Sequence, residues 1–591
     1  MPKDRQSNAH RVRIEAADLA HSRPHPTHAA NGDETRFSSA CYALTFTKGL
    51  CHDVATGLVS DPTHFEAFRG AIDEGYIEAF TSRVPVPQDP KRGRRRWEAP
   101  TAGSAYDLQG PDAQAVTMPP APAMGSSELD FELAEVYELA LLRDTPLLSF
   151  DQNGGPGSGD VNDAVSRLNA MDYAKDGFPG RPRTNEGGQL TRQTVFRGSG
   201  VGVEHGPYLS QFLWIGSCDQ AGSIDVGDGY ISYGGQRIDQ RVLRAKDGDD
   251  HMTNWQDWLD VQKGFDVNGC GSGQTLDGER CFIHRPRDLA TYVHFDALYQ
   301  AYLNATLILL GMGTPFDPGF AKLSGMRDMF NPLSGAAGIK QNAGGFALYG
   351  GPQILTLVTE VATRALKAVR YQKFNNHLRL RPEALAGRLA RACEIDSAHP
   401  STCGAFSSMR DRMVPTLSAI DSANPADPAL PGGNLLLPMA FREGSPMHPT
   451  YGAGHATVAG ACVTIVKAFF DTGTVMGANA DEGCRKGKIG FYRRIEDPCY
   501  FEAVEKGKTL DKRRAECPLT LEGELNKLAA NVSIGRNMAG VHYYSDYYDS
   551  LRMGEEIAIG MLQEQALCYP TDDFVLSVPT FDGDLVRIGG K

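Results

Sequence analysis

The segment SPMHPTYGAGHATVAGAC, residues 445–462, places a histidine among glycines just before an apolar helix. His455 follows Gly452 and Gly454, and apolar residues then recur at roughly helical spacing as far as Phe470. A helix N-terminus with bare backbone N–H groups is a natural site for an anion. Taken alone, the motif also fits a glycine-rich helix start with a capping histidine, the more common case for an isolated short motif.

Cationic side chains are concentrated in VRYQKFNNHLRLRPEA, residues 369–384, which contains Arg370, Lys373 and Arg381. Lys373 and Arg381 are eight residues apart, so both can lean toward one helix face, and Pro382 is expected to end that helix. Such a run, taken alone, also fits a solvated basic face.

A third segment, SIGRNMAGVHYYSDYYDS, contributes Arg536, His542 and Asp546. On a helix, the Asp546 carboxylate four residues after His542 can reach the imidazole and fix its tautomer. By itself, such a pair is more often structural than catalytic.

Together the three segments predict a pocket for a tetrahedral oxyanion. Lys373, Arg381 and Arg536 would neutralise the anion, because arginine can donate paired hydrogen bonds to two of its oxygens. Backbone N–H groups near Gly454 would complete the site, leaving two histidines for covalent and proton-transfer roles. Cations clustered in a chain of net charge −13 indicate one small anionic ligand rather than a polyanion.

Amphipathic helices are expected to position these residues, and convincing strands are few, with short candidates at GYISYG and DFVLSV. We therefore predict an all-α fold of long packed helices. Residues 1–37 are predicted as a polar arm, 38–570 as one helical domain whose motifs lie in 290–565, and 571–591 as a tail. Strong helical spacing occurs in ELDFELAEVYELALLRD, DLATYVHFDALYQAYLNATLILLGMG, QILTLVTEVATRALKAVRYQKF, HATVAGACVTIVKAFF and NKLAANVSIGRNMAG.

The composition excludes several classes of partner for this 591-residue chain. Its acidic balance argues against nucleic acids and anionic membranes, and the short basic run KRGRRRW, 91–97, is interpreted as a solvated loop or subunit contact. No run reaches the roughly 18 apolar residues of a membrane span. The first twenty residues lack the apolar core of a signal peptide, although export by another route stays open.

Twelve cysteines include three close pairs, Cys41 with Cys51, Cys270 with Cys281, and Cys393 with Cys403. Their polar loops favour disulfides and hence a periplasmic or extracellular location, with reduced thiols as the alternative.

The order Lys-x7-Arg-Pro, x-Gly-His and Arg-x5-His resembles the signature shared by vanadium-dependent haloperoxidases and related acid phosphatases. The flanking residues RYQKFNNHLRLRPEAL, SPMHPTYGAGHATVAGACVTIVKAFFD and IGRNMAGVHYYSD are most similar to red-algal and cyanobacterial bromoperoxidases, and the likeness extends less tightly over about residues 40–565. The resemblance implies a large helical-bundle subunit with vanadate as cofactor and no haem.

By this resemblance, each candidate residue acquires a role. His542 would bond directly to vanadium, and His455 would take a proton from hydrogen peroxide, which Lys373 would polarise. The vanadate oxygens would be bound by the Gly454 amide and three cationic side chains, and a further set would shape the pocket and halide access. The cations are Lys373, Arg381 and Arg536, and the surrounding set is Arg370, His448, Ala453 and Asp546.

The implied reaction oxidises bromide with hydrogen peroxide to hypobromous acid or an equivalent, which halogenates organic nucleophiles. The implied assembly is a large symmetric homo-oligomer, a dodecamer. An acid phosphatase with His542 as nucleophile and His455 as acid is the alternative, because vanadate and phosphate are both tetrahedral oxyanions. A third possibility is an inactive or structural homologue.

Two features depart from the family pattern. The family normally has serine before the Gly-His pair, where this chain has Ala453. Losing that hydrogen bond to a charged group predicts weaker vanadate retention or altered peroxide activation, at a cost of roughly 1.5–3 kcal/mol. Related algal enzymes can carry structural calcium, but the segment 338–351 offers almost no carboxylates, so calcium is not predicted.

Overall fold

The structure, a computed structural model, describes residues 4–151, 154–185, 187–217, 225–324, 344–481 and 486–590. Helices predominate throughout these ranges. In chain order they are α1 (Arg5–Ser22), α2 (Asp33–Arg36), α3 (Pro62–Glu74), α4 (Ile77–Ser82), α5 (Ser127–Leu141), α6 (Ser158–Asn169), α7 (Asp172–Lys175), α8 (Trp255–Gln262), α9 (Pro286–Phe295), α10 (Gln300–Met312), α11 (Pro318–Ser324), α12 (Gly351–Tyr371), α13 (Pro382–Ala390), α14 (Ala392–Ala398), α15 (Ala405–Arg412), α16 (Val414–Ala423), α17 (Gly454–Phe469), α18 (Leu521–Met538) and α19 (Tyr544–Ala566).

Small antiparallel sheets accompany the helices, so the all-α prediction is only partly right. Within the described ranges, three sheets are two-stranded, β1–β2, β3–β4 and β9–β10, and one has four strands in the order β6-β5-β7-β8. The bounds are β1 (Tyr230–Tyr233), β2 (Gln236–Asp239), β3 (Val242–Ala245), β4 (Leu276–Cys281), β5 (Val475–Asn479), β6 (Ile489–Tyr492), β7 (Ile495–Val504), β8 (Thr509–Arg514), β9 (Val575–Pro579) and β10 (Leu585–Gly589).

The four-stranded sheet was missed because its alternation is short and lies among charged residues. In β7, Cys499, Phe501 and Ala503 are buried while their neighbours are partly exposed, a two-residue period over only five positions. The two predicted strand candidates, GYISYG and DFVLSV, are confirmed as β1 and β9.

The predicted helices are confirmed, with differences at their ends. The long pattern around residues 288–313 is two helices, α9 and α10, separated at Asp296. Helix α12 ends at Tyr371 and is followed directly by a π-helical turn, Gln372–His377. Pro382 therefore does not end this helix but is the first residue of α13. Proline suits this position because the first helical residue needs no N–H donor.

Helix α17 occupies the centre of the molecule. All its residues from Ala456 to Phe469 are buried, and it packs against α12, α18 and α19. Glycines let α17 and α19 approach closely, since a Cβ on Gly460 would clash with the carbonyl oxygen of Leu551, and a Cβ on Gly554 would clash with that of Thr457. The N-terminus of α17 is thereby fixed beside that of α19.

Within the predicted N-terminal arm, residues Arg5–Ser22 form α1, and no residue of this helix is buried. Within the described ranges, no helix is long and apolar enough to cross a bilayer. The segment considered for calcium lies partly outside the described residues, at 338–343.

The disulfide prediction is wrong for the three cysteine pairs, whose six thiols are all free. Other interactions close these loops. Around Cys51, for example, Ser60 donates its backbone N–H to the Cys51 carbonyl and Asp53 donates to that of Leu58.

Candidate active site

Most of the predicted site residues meet at one cavity of about 310 Å³. It lies between the N-terminus of α17, the C-terminal ends of α9, α12 and α18, and the segment 441–448. Its lining includes Arg370, His448, Gly454, His455, Arg536 and His542.

His542 is held by Asp546 in a defined orientation. The Nδ1 nitrogen lies 2.8 Å from Asp546 Oδ2 and 3.0 Å from Thr450 Oγ1, so Nδ1–H donates to the carboxylate. Asp546 also accepts hydrogen bonds from Thr450 Oγ1 and from the backbone N–H of Tyr543. The contact predicted between His542 and Asp546 is therefore present, although it caps the start of α19 instead of spanning a helical turn.

The other ring nitrogen of His542, Nε2, accepts a hydrogen bond from Arg381 Nη1–H at 3.1 Å. Burial, followed by the charges of Arg381 and Lys373, lowers the pKa of His542 well below its usual value. The imidazole is consequently neutral, as a metal ligand must be.

Two buried cations lie immediately behind the histidine. Arg381 donates Nε–H to the carbonyl of His448 at 2.9 Å and Nη1–H to that of Val541 at 2.7 Å. Lys373, in the π-helical turn, donates to the carbonyls of Pro449 and Thr450 at 2.8 and 2.9 Å. Both residues hold the 448–450 segment against His542.

Burial is the main cause of unusually low pKa values in these cations. It lowers that of Arg381 to about 9, and burial with the charges of Arg381 and Arg370 lowers that of Lys373 well below its ordinary range. Within the described residues, no carboxylate lies within 4.0 Å of Lys373, Arg381 or Arg536. A buried cation without a carboxylate is costly unless another anion compensates it.

Two guanidinium nitrogens at the cavity lack partners. Arg536 donates Nη1–H to the Val293 carbonyl at 2.7 Å, but its Nε is buried without a hydrogen bond. The same holds for Nη1 of Arg370. Buried N–H groups are rarely left unsatisfied, so these donors mark places for an anion.

The N-terminus of α17 presents backbone N–H groups to the same cavity. The first intrahelical bond of α17 runs from Thr457 N–H to the Ala453 carbonyl, so the amides of Gly454, His455 and Ala456 have no intrahelical partner. Ala453 is the N-cap residue, and its methyl group cannot accept a capping hydrogen bond. Its own N–H donates to Ser550 Oγ at 2.8 Å.

His455 is oriented by Asp296, with 3.0 Å between Nε2 and Asp296 Oδ1. If Nε2–H donates to this carboxylate, Nδ1 is the nitrogen that can accept a proton. Burial lowers the pKa of His455 despite the opposing effect of Asp296, which leaves the ring neutral near pH 7.

His448 completes the inner wall. Its Nδ1 lies 2.8 Å from Arg381 Nη2 and accepts that hydrogen bond. Burial and the charge of Arg370 lower the pKa of His448 well below its usual value, so the ring remains neutral.

Sequence reasoning missed four carboxylate and arginine side chains in the cavity wall: Arg95, Glu98, Asp296 and Glu443. The loop around KRGRRRW was interpreted as a solvated segment or subunit contact, yet Arg95 donates to the carbonyls of Glu443 and Ser445. Asp296 is the C-cap residue of α9. The helical spacing of apolar residues in this segment gave no reason to assign it a functional role. The position of Glu98 between Trp97 and Pro100 was the one available signal for this residue.

A separate group, Cys281, His284 and Asp288, has donor atoms close enough to share a metal ion. The 2.8 Å distance between His284 Nδ1 and Asp288 Oδ2 is that of a hydrogen-bonded pair, and Arg285 also pairs with Asp288. Burial raises the pKa of Cys281 to about 12, which keeps the thiol protonated. These contacts explain why the three side chains lie together, and we interpret the group as a hydrogen-bonded cluster and not as a metal site.

The fold and the cavity together define an enzyme of the oxyanion-binding class. Buried cations, free helix N-terminal amides and a neutral imidazole converge on one space, with a second neutral imidazole beside it. This arrangement suits a tetrahedral oxyanion that carries out chemistry on a small partner.

Known proteins narrow this class. The chain is 41% identical to a vanadium-dependent bromoperoxidase of Corallina pilulifera and 40% identical to that of Corallina officinalis, in each case over 98% of this chain and 97% of the relative. A third relative of the same description, from Ascophyllum nodosum, is 29% identical over 99% of this chain and 93% of its own length. No protein-family model matches the chain.

A solved structure agrees with these relatives. It is the homohexameric second vanadate-dependent bromoperoxidase of Ascophyllum nodosum, 25% identical, with a TM-score of 0.76 over 100% of this chain and 91% of that one. The chain belongs to the vanadium-dependent bromoperoxidase family.

Proposed function

We propose that this chain holds vanadate in the cavity and uses it to oxidise bromide with hydrogen peroxide. The observation that carries the proposal is a set of buried cations, Lys373, Arg381 and Arg536, none of which has a described carboxylate within 4.0 Å. The family to which the chain belongs supplies the identity of the anion.

The residues present fit vanadate. Its negative charge would offset the buried cations, and the unpartnered Nε of Arg536 and the free amides at Gly454 supply hydrogen-bond donors for its oxygens. Nε2 of His542 is unprotonated and fixed in direction by Asp546, and it would exchange its hydrogen bond from Arg381 for the one direct bond to vanadium. Ala453 is the weak point of this fit, because a serine hydroxyl is missing there.

Bound vanadate supplies a Lewis acid that activates peroxide without a change of its own oxidation state. The chain's residues supply proton transfer and orientation. His455 accepts a proton from hydrogen peroxide at Nδ1 while Asp296 holds the opposite nitrogen. Lys373 and Arg381 stabilise negative charge as it develops on oxygen.

The overall reaction converts bromide, hydrogen peroxide and one proton into hypobromous acid and water. Arg370 and His448 line the cavity where bromide would approach, and the free Nη1 of Arg370 is a donor that suits a halide. Apolar side chains of Leu298, Leu366 and Phe441 line the same cavity and can accommodate an organic nucleophile. The relatives do not favour the acid phosphatase alternative, since all three are bromoperoxidases.

One assay tests the function. Vanadate-free protein is titrated with orthovanadate while bromination of a phenolic dye is followed with peroxide and bromide. We expect activity that depends on vanadate and disappears in His542→Ala. Hydrolysis of a phosphate ester that vanadate inhibits, with no bromination, would establish the phosphatase alternative, and neither activity would indicate the inactive homologue.

We also propose a homo-oligomer, with the exposed helix α1 as a contact between subunits. The homohexamer of the Ascophyllum nodosum enzyme supports assembly, whereas a dodecamer rests on family resemblance alone. Native mass spectrometry distinguishes six from twelve subunits, and deletion of residues 1–22 should reduce assembly if α1 is a contact. One domain over 38–570, and a periplasmic or extracellular location, stay proposals that limited proteolysis and cell fractionation test.

A further inference from the structure

A carboxylate lies at the cavity among cationic and imidazole groups without a close partner. Glu98 Oε2 is 3.9 Å from Arg370 Nη2 and 3.6 Å from His448 Nε2, and Oε1 is 3.7 Å from Arg95 Nη2. These distances exceed those of direct hydrogen bonds. Among the described residues, the one hydrogen bond to the carboxylate comes from the Met447 N–H at 3.2 Å, and the side chain is 43% exposed.

The backbone beneath this side chain is firmly held. Glu98 N–H donates to the Met447 carbonyl at 3.0 Å, and Trp97 Nε1–H donates to the Lys48 carbonyl at 2.9 Å. Arg95 ties the same loop to the carbonyls of Glu443 and Ser445. A loosely held carboxylate on an anchored loop can change its position without movement of the cavity wall.

The other carboxylates of the wall are already engaged. Asp296 pairs through Oδ1 with His455 at 3.0 Å, and Glu443 pairs with His294 at 2.8 Å. Asp296 Oδ2 has no hydrogen bond within the described residues, but the side chain is buried and held in place by His455, whereas the Glu98 side chain is partly exposed. Burial alone would raise the pKa of Glu443, but the hydrogen bond and charge of His294 lower it to about 2. Among the lining residues, Glu98 is therefore the carboxylate that can compete for a cation.

We propose that Glu98 is a mobile counter-ion that competes with bromide for Arg370 and thereby sets the bromide concentration that the enzyme requires. Arg370 has a buried Nη1 without a hydrogen bond, and its nearest carboxylate is Glu98. A halide approaching this guanidinium must overcome the repulsion of Glu98 or displace its side chain. This inference rests on the proposed function, because it assigns a specificity-determining residue for the same reaction.

The direct test is Glu98→Gln, which removes the charge and keeps an acceptor for the Met447 N–H. At saturating peroxide and vanadate and low ionic strength, we expect the bromide KM to fall by about three- to tenfold, with kcat within twofold. The matched control is Asp89→Asn, which changes the net charge equally in the same loop but does not line the cavity. The control should leave the bromide KM unchanged.

A double-mutant cycle distinguishes competition for Arg370 from a general electrostatic repulsion of bromide by the Glu98 charge. In an Arg370→Gln background, Glu98→Gln should no longer lower the bromide KM. An equal decrease in both backgrounds would overturn the competition, and an unchanged or raised KM in the single variant would overturn the role of Glu98 altogether.

Bromide binding to the vanadate-free protein gives a readout independent of turnover. The ⁸¹Br NMR linewidth, titrated with bromide, should show three- to tenfold tighter binding in Glu98→Gln than in the wild type. Wild-type protein that binds bromide in this way but never brominates with vanadate would overturn the proposed function and leave the Glu98 result intact. Equal bromide binding by the two proteins would overturn the inference even if the wild type is an active bromoperoxidase.

Discussion

His542 and Asp546 form a hydrogen-bonded pair at the start of α19, with 2.8 Å between Nδ1 and Oδ2. The pair is part of a longer buried chain, because Arg379 donates to both Asp546 and Glu132, and Glu132 lies on α5. The proposed ligand to vanadium is thus oriented by charged groups that extend from α19 to α5. Orientation of this kind raises the affinity of a histidine for a metal.

Replacing Asp546 with asparagine tests this orientation. We expect vanadate to bind about 10- to 100-fold more weakly, because the amide cannot match the carboxylate as an acceptor for His542 Nδ1–H. Equilibrium dialysis of vanadate against the purified variant measures the affinity. Asp497→Asn, which breaks a surface pair with Lys512, should bind vanadate as the wild type does. Equal affinity in Asp546→Asn would show that the pair does not position the ligand.

The residue before the Gly-His pair allows a gain-of-affinity experiment. Ala453→Ser should tighten vanadate binding by tenfold or more, because a hydrogen bond to a charged group contributes about 1.5–3 kcal/mol. The hydroxyl can also cap α17, a helix that lacks a side-chain cap. Dialysis and the vanadate dependence of bromination both report the change.

Ala453→Gly is the matched control, since it alters the same backbone position without adding a hydroxyl. It should show no gain in affinity. A serine variant that binds vanadate no better than the glycine variant would mean that the hydroxyl does not reach the anion. Such a result would also remove Ala453 as the reason for any weak retention.

The sequence indicated several residues that form the site, but it did not indicate which of them form hydrogen bonds or ion pairs with one another. Lys373, Arg381, His455, Arg536 and His542 are all brought together, because each motif combines a reactive side chain with the helix end that presents it. The order of three motifs also carried enough information to indicate the family, which no single motif did.

What the sequence could not predict was long-range pairing. Asp296 reaches His455 from a position 159 residues earlier, and Glu98 reaches Arg370 from 272 residues earlier, so no local spacing records either contact. The all-α prediction was only partly right for a related reason. The strands β5 to β8 are stabilised by pairing with one another, whereas a helix shows its periodicity in a single segment.

If the Asp296–His455 pair acts in proton transfer, substitutions in it should lower kcat and leave the affinity for vanadate nearly unchanged. His455→Gln should lower kcat by about 10²–10⁴-fold, the usual contribution of a general acid–base group. Asp296→Asn should give a smaller loss, about tenfold, because it misdirects the imidazole without removing it. Vanadate affinity should stay within about threefold in both variants. A large loss of vanadate affinity in Asp296→Asn would instead assign Asp296 to the oxyanion site.

A buried histidine that does not line the cavity, His52, predicts how stability depends on pH. His52 is hydrogen-bonded to Thr47 Oγ1 and the Leu50 carbonyl, and burial with the charge of Arg388 lowers its pKa to about 3. The unfolded chain binds a proton near pH 6.5, whereas the folded chain does not. Its contribution to stability is therefore full above pH 6.5 and falls by about 1.4 kcal/mol for each pH unit below it.

We expect His52→Gln to lower the free energy of unfolding at pH 7.5 and to reduce its further loss on going to pH 5.0 by about 2 kcal/mol relative to the wild type. Urea unfolding at the two pH values measures both quantities. His10→Gln, in the exposed helix α1, should behave as the wild type at each pH. An identical loss between the two pH values in His52→Gln and wild type would mean that His52 becomes protonated in the folded protein without cost. In that case the acid sensitivity of the fold would have to come from other buried groups.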